Sequence, residues 1–246
     1  SRYLESATRA GDWLSDIQER DGSWRRFTSS GFVHTYNVRT AWALVRLHQL
    51  THVGTHLQSA KRNLAWALSQ QKTDGWFSHM GFRPGEDPLT HTIAYTIEGI
   101  LESGVLLMEE QLIDSARRAA DAMLEKQRQD VYLRARYGQG WKPSVTWSCL
   151  TGNAQMALIW FRLYELTARK DYLTAAIEAN RYVKQQQNRK STTPGVAGGI
   201  AGSHPIYAGY EPYRNLNWAA KFFVDSLLLE DRLHTGSHGN ARSVRQ

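Results

Sequence analysis

The sequence predicts an all-α protein built from about four helical hairpins, and three observations carry that prediction. Short turn motifs recur along the chain. They are Asp21-Gly22-Ser23-Trp24, Asp74-Gly75-Trp76 and Asp130-Val131-Tyr132, each behind a Gln-rich helix end, with a degenerate copy in the Gly-rich stretch from Gly195 to Gly202. Two kinds of helical segment alternate around these turns, one rich in alanine and charge, the other apolar over most of its circumference. The recurrence has a period of tens of residues, as in stacked hairpins that bury their apolar faces only against neighbours.

The charged, alanine-rich segments are Tyr3 to Gln18, Leu57 to Gln71, Gln111 to Gln127 and Tyr172 to Gln187. Ala7 and Ala10, Ala60 and Ala67, Ala116 and Ala120, and Ala175 and Ala179 give them high helix propensity and allow close contact. They are read as outer helices. Each stops at a turn, where Gly22 and Gly75 supply positive φ and Asp21 and Asp74 bond their own backbone. Asp21, Asp74 and Trp24 are accordingly turn and packing residues. The apolar segments are Asn37 to Leu50, Thr92 to Leu107, Thr151 to Leu166 and Asn217 to Leu229. A helix apolar nearly all round is buried, so these are inner helices.

Composition narrows the function classes. The 246 residues suffice for one domain with a sizeable core, assigned to 1–233, and the Gly-, Ser- and Arg-rich stretch 234–246 is expected to be a flexible tail. No run approaches the length of a membrane span, and no signal peptide is evident, so a mature form or a piece of a longer protein is expected. Cys149, the single cysteine, excludes an internal disulfide and a Cys-based zinc cluster. Neither a metal nor another cofactor is expected. A net charge of +7 favours an anionic partner, yet the basic residues are dispersed and no run reads as a nucleic-acid arm. An anionic glycan is the expected partner, since the abundant tryptophans offer faces for sugar rings. The compartment stays open between cytoplasm and bacterial envelope.

The run Gln18-x-x-Asp21-Gly22-Ser23-Trp24 resembles the repeat signature of triterpene cyclases, whose fold is an α/α toroid. The same architecture is used by prenyltransferase β subunits, six-hairpin glycosidases, polysaccharide lyases and the C-terminal domain of glucuronyl C5-epimerases. The resemblance implies an α/α toroid or a partial one for most of the chain. Four hairpins make a ring that is small, open, or completed by a homo-oligomeric partner or an additional domain. The Asp-x-Asp-Asp acid of terpene cyclases is absent, as are a Walker loop, His-Glu-x-x-His and Gly-x-Ser-x-Gly.

In such a fold the residues leading into the inner helices surround a cavity, and helix N-termini there attract anions. The expected substrate-binding residues are Tyr36, Asn37 and Arg39 before the first inner helix and Trp141, Trp147 and Asn153 before and within the third. The fourth contributes His204, Tyr207, Tyr213, Asn217 and Lys221. His91 and Tyr95, four apart on one helical face, form the expected catalytic pair, because imidazole and phenol can act as base and acid in one proton transfer. Cys149 as a nucleophile would need an adjacent base.

The preferred reading is a carbohydrate-active protein that abstracts the C5 proton of a uronate, as a lyase or epimerase. The resemblance to toroidal polysaccharide lyases implies that Asn153 or Arg39 neutralises the carboxylate, acidifying that proton. The alternative is a glycoside hydrolase drawing a carboxylate pair from Glu86, Asp87, Glu98 and Glu211, spaced about 5 Å for retention or roughly 6.5–9.5 Å for inversion. A non-catalytic module binding a glycan or protein is the reading from another class, and an isoprenoid-binding barrel a fourth.

Overall fold

The computed structural model describes residues 1–130 and 132–242, with side chains to residue 235. Val131 of the third turn motif and residues 243–246 of the expected tail lie outside the described residues. The described chain forms two compact units. One is Ser1–Ala122 with Tyr137–Lys142, and the other is Met123–Arg136 with the chain from Pro143 onward.

Eight α-helices carry the described structure: α1 (Arg2–Asp16), α2 (Val38–Thr51), α3 (Gly54–Ser69), α4 (Thr90–Leu107), α5 (Glu110–Gln129), α6 (Leu150–Thr167), α7 (Lys170–Gln186) and α8 (Asn217–Arg242). The remaining regular pieces are three 3-10 turns (Ser29–Gly31, Thr35–Asn37 and Gln139–Trp141) and four two-residue strands: β1 (Tyr137–Gly138), β2 (Lys142–Pro143), β3 (Ser148–Cys149) and β4 (Ser203–His204). Helix α8 reaches Arg242, so regular structure extends into the segment that composition marks as a tail.

Burial follows the two helix classes only in part, since α2, read as inner, buries five of its 14 residues and α3, read as outer, seven of 16. Of α1 only Gly11 is buried, whereas α4 is buried from Thr90 to Gly104 at nearly every position and α6 from Leu150 to Ala157. The contrast follows from sequence, since α4 has apolar or small residues on every face. Each inner helix passes to the next outer helix through two residues, the first left-handed. His52, Met108 and Ala168 have φ of 58°, 54° and 57°, and their N–H groups close the helix ends. In the first unit α2 packs against α3 and α4. Gly99 permits the α2–α4 approach, because a Cβ there would lie 2.7 Å from Val38 and 2.9 Å from the backbone of Arg39. In the second unit α6 packs against α7 and α8. There Asn180 donates to Glu230 at 2.6 Å and accepts from the Ser226 hydroxyl at 2.7 Å.

The long side of each hairpin holds the turn motif, and its glutamine explains the repeat. Gln18 donates its amide to the carbonyls of Gly22 (3.0 Å) and Ser59 (2.8 Å), clasping its own turn to α3, and accepts from Arg62 at 2.7 Å. Gln71 repeats this with Gly75 (3.2 Å), Ser115 (2.8 Å) and Arg118 (2.7 Å). In the second unit Gln127 donates to Ala175 at 3.0 Å, and Gln187 donates to Gly198 at 2.9 Å inside its own loop. Asp21 accepts from the N–H of Ser23 at 2.9 Å, and Asp74 from that of Trp76 at 3.0 Å. The Ser23 bonds are the main cause that lowers Asp21 to about 2. Trp24 is buried and donates its indole N–H to Leu14. The glycines are required by both conformation and space: Gly22 sits at φ 88° with the Arg62 carbonyl 2.3 Å from where a Cβ would be.

Candidate functional site

In the first unit the chain leading into α2 meets the start of α4, and the meeting is aromatic and charged. The ring nitrogens of His34 lie 3.0 Å from the carbonyl oxygen of Gly81 and 2.8 Å from that of Ser29. Its imidazole stacks on Tyr36 with centroids 4.4 Å apart and planes 16° from parallel. Tyr36 in turn approaches Phe82 and Tyr95. The Tyr95 ring has His91 on one side, at 4.3 Å between centroids, and the Arg39 guanidinium at 4.5 Å from its centre. Arg39 forms an ion pair with Glu98, one turn along α4 from Tyr95. Glu98 is buried, so the guanidinium offsets the cost of a desolvated carboxylate. Burial raises the phenol of Tyr95 and pushes that of Tyr36 up to about 12. Five of the expected residues, Tyr36, Arg39, His91, Tyr95 and Glu98, therefore form one contiguous cluster. Asn37 immediately precedes α2 without a side-chain bond to its first turn and lines, with Tyr36, Trp13 and Trp24, a cavity of about 180 Å³.

A second cavity in the same unit, about 210 Å³, lies under the loop between the second turn motif and α4. Glu86 and Asp87 both line it, with His79, Arg83, Trp76 and Phe32. Asp87 comes close to Gly138, where a Cβ would stand 3.1 Å from its Oδ1. The Tyr137 N–H donates to the Pro88 carbonyl at 3.3 Å. Trp141, expected beside the third inner helix, belongs instead to this unit: it donates its indole N–H to Asp74 at 2.9 Å and meets Trp76 edge-on. Burial, and then the Arg25 charge, lowers His79 and favours its neutral form. Sequence reasoning missed His79 and Arg83. The signal available was the Gly- and Pro-bearing loop from His79 to Gly85, a long connection of the kind that carries function.

In the second unit Trp147, His204 and Tyr207 come together with Tyr132 and Tyr182 around a cavity of about 820 Å³. Asn153 is buried and is not among the residues that line it. Its amide donates to the Cys149 carbonyl at 2.9 Å and its oxygen accepts from the Leu133 N–H at 3.2 Å. Cys149 is buried at the start of α6, where its sulfur accepts from the Gly152 N–H. Glu211 pairs with Arg214 at 2.7 Å and Lys221 with Asp225 at 2.6 Å. Asn217 accepts from the Trp218 N–H at 2.8 Å, and Tyr213 is exposed at φ 58°. None of these four lines the cavity. Among the described residues no group of three His, Cys, Asp or Glu is disposed to hold a metal ion, and no helix is long and apolar enough to cross a membrane.

No protein-family model matches the chain, and no curated protein matches it in sequence. Solved structures do match in fold. An unsaturated glucuronyl hydrolase from a Bacillus species, described as responsible for the degradation of glycosaminoglycan, superposes with a TM-score of 0.70 at 16% identity over 90% of this chain and 66% of its own. An inactive α-1,6-mannanase from a Salegentibacter species, two successive aspartates replaced and α-1,6-mannotetrose bound, gives 0.71 at 13% identity over 94% and 65%. An unsaturated glucuronyl hydrolase specific for heparin gives 0.72 at 12% over 95% and 69%. The chain thus spans about two thirds of the length of these structures. At such identities the likeness shows the fold alone, and that fold is the all-α α/α toroid, whole or in part.

Proposed function

We propose that the chain is a carbohydrate-active enzyme of the glycoside hydrolase type, with Glu86 and Asp87 supplying its carboxyl groups. The observation that carries the reading is the cavity they share beside Trp76, His79 and Arg83. Two carboxyl groups are the minimum for glycosidic cleavage: one protonates the departing oxygen while the other attacks the anomeric carbon or activates water. A neutral imidazole at His79 suits a sugar hydroxyl, and Arg83 suits an acidic substituent. The net charge of +7 supports an anionic glycan. The hydrolases among the structural neighbours support the same choice, as does the mannanase's dependence on two successive acids.

C5 proton abstraction by His91 and Tyr95 is the second reading, favoured by their 4.3 Å ring separation. It fits less well because Arg39, its candidate carboxylate neutraliser, already faces Glu98. A partner copy or additional domain completing the ring belongs to the same proposal, and native mass measurement tests it.

Incubation with a panel of anionic and neutral polysaccharides separates the readings. Hydrolysis raises reducing ends without creating the ultraviolet absorbance of an unsaturated uronate; elimination creates both. Glu86→Gln or Asp87→Asn is expected to cut turnover by about 10³-fold. Native turnover in both variants overturns the assignment, and loss only in His91→Ala and Tyr95→Phe transfers it to the second reading.

A further inference from the structure

The cavity of the second unit differs from the acid-lined one in its chemistry. Its described lining residues include Tyr132, Trp147, Tyr182, His204 and Tyr207 and no carboxylate. At about 820 Å³ it falls in the size range of small-molecule sites. Tyr132 and Tyr182 form a parallel stack at 4.9 Å and 17°, giving one side a rigid aromatic face. Tyr207 is 64% exposed, a large ring held in water. Its loop is nonetheless firmly built. Ser203 donates its hydroxyl to the Tyr210 carbonyl at 2.7 Å and accepts from the Tyr210 N–H at 3.3 Å. The Tyr213 N–H donates to Ile206 at 2.8 Å, and β4 pairs with β3 so that His204 faces Ser148, next to Trp147. Gly209 brings the loop against the indole, since a Cβ there would be 3.0 Å from Trp147.

We propose that this cavity is a non-catalytic glycan-binding site, in which Trp147 and Tyr207 stack on pyranose rings while His204 and Gln185 bond their hydroxyls. The assignment rests on the carbohydrate reading above. A pyranose presents a face of C–H groups and a rim of hydroxyls. Aromatic faces carry negative quadrupole density that attracts such C–H groups, and polar side chains at the margin take up the rim. A preordered loop loses little conformational freedom on binding, so few contacts suffice. The lack of a carboxylate among the lining residues leaves the site without the acid pair that glycoside hydrolysis needs, so the work assigned to it is to hold the polymer.

Affinity electrophoresis through gels containing heparin or α-1,6-mannan tests this directly. The native chain is expected to be retarded in at least one gel. Tyr207→Ala and Trp147→Ala are each expected to weaken retention by about tenfold. Tyr3→Ala, which removes another exposed aromatic, is expected to leave it unchanged. Tyr207 lies on the surface, so its variant stays informative if Trp147→Ala fails to fold. Native retention in both cavity variants, or no retention of the native chain in either gel, overturns the proposal. Turnover by Glu86→Gln and Asp87→Asn is read separately: if both are native while Tyr207→Ala loses retention, the hydrolase reading falls and the binding site stands.

Discussion

The turn motifs and the residues leading into the inner helices use the same acidic side chains to opposite ends. Asp21 and Asp74 fold back on backbone N–H groups two residues away, within the turn itself. Glu98 finds its cation on another helix, and Glu86 and Asp87 line a cavity. The first kind of acid is used up within its own turn, where Asp21 also accepts from the Ser23 hydroxyl and pairs with Arg25. The second finds its surroundings through tertiary structure. Residue type is therefore a poor guide to role, and the sequence distance to the partner a good one.

Removing the tertiary partner should have the largest effect. Arg39→Ala leaves the buried Glu98 carboxylate without its guanidinium and is expected to cost about 3 kcal/mol in denaturant unfolding. Adding Glu98→Gln should recover most of that loss, and no recovery would mean that the pair is not what Arg39 provides. Next comes the backbone of the turn. Gly22→Ala forces a Cβ into the Arg62 carbonyl at positive φ and is expected to cost about 2–3 kcal/mol. Gly31 has φ 62° but nothing within 4 Å, so Gly31→Ala should cost only the conformational part, about 1 kcal/mol. Equal losses would deny the close approach of the turn to α3. The smallest effect belongs to Asp21. Its carboxyl is lowered from 3.8 to about 2 in the folded chain, so it contributes stability above pH ~4 that fades as pH falls toward 2. The difference in Tm between the native chain and Asp21→Asn should therefore shrink over that window; a constant difference would place the stabilisation elsewhere.

The same contrast marks what could be read from sequence. The eight helices were legible because alanine-rich and apolar segments alternate, and Asp-Gly turns follow α1 and α3 by local chemistry. His91 and Tyr95 were legible as neighbours on α4 from their spacing of four. That Arg39 closes the cluster was not, because it depends on the α2–α4 crossing at Gly99, which no local pattern encodes. Trp141 was assigned by its position before the third inner helix, yet its indole reaches back to Asp74. His79 and Arg83 were not legible, because they lie further from the start of α4 than Glu86 and Asp87 and only the folded loop brings all four to one cavity. The extension of α8 to Arg242 ran against a Gly- and Ser-rich composition whose helix propensity is low.

The glutamine clasp gives the array a direction. Gln18 and Gln71 each reach forward to the outer helix that follows, and Gln127 does the same in the second unit, whereas Gln187 closes on its own loop. A hairpin copied by duplication would thus arrive carrying its own fastening to whatever came after it. Growth of such a protein by one unit needs no newly invented seam.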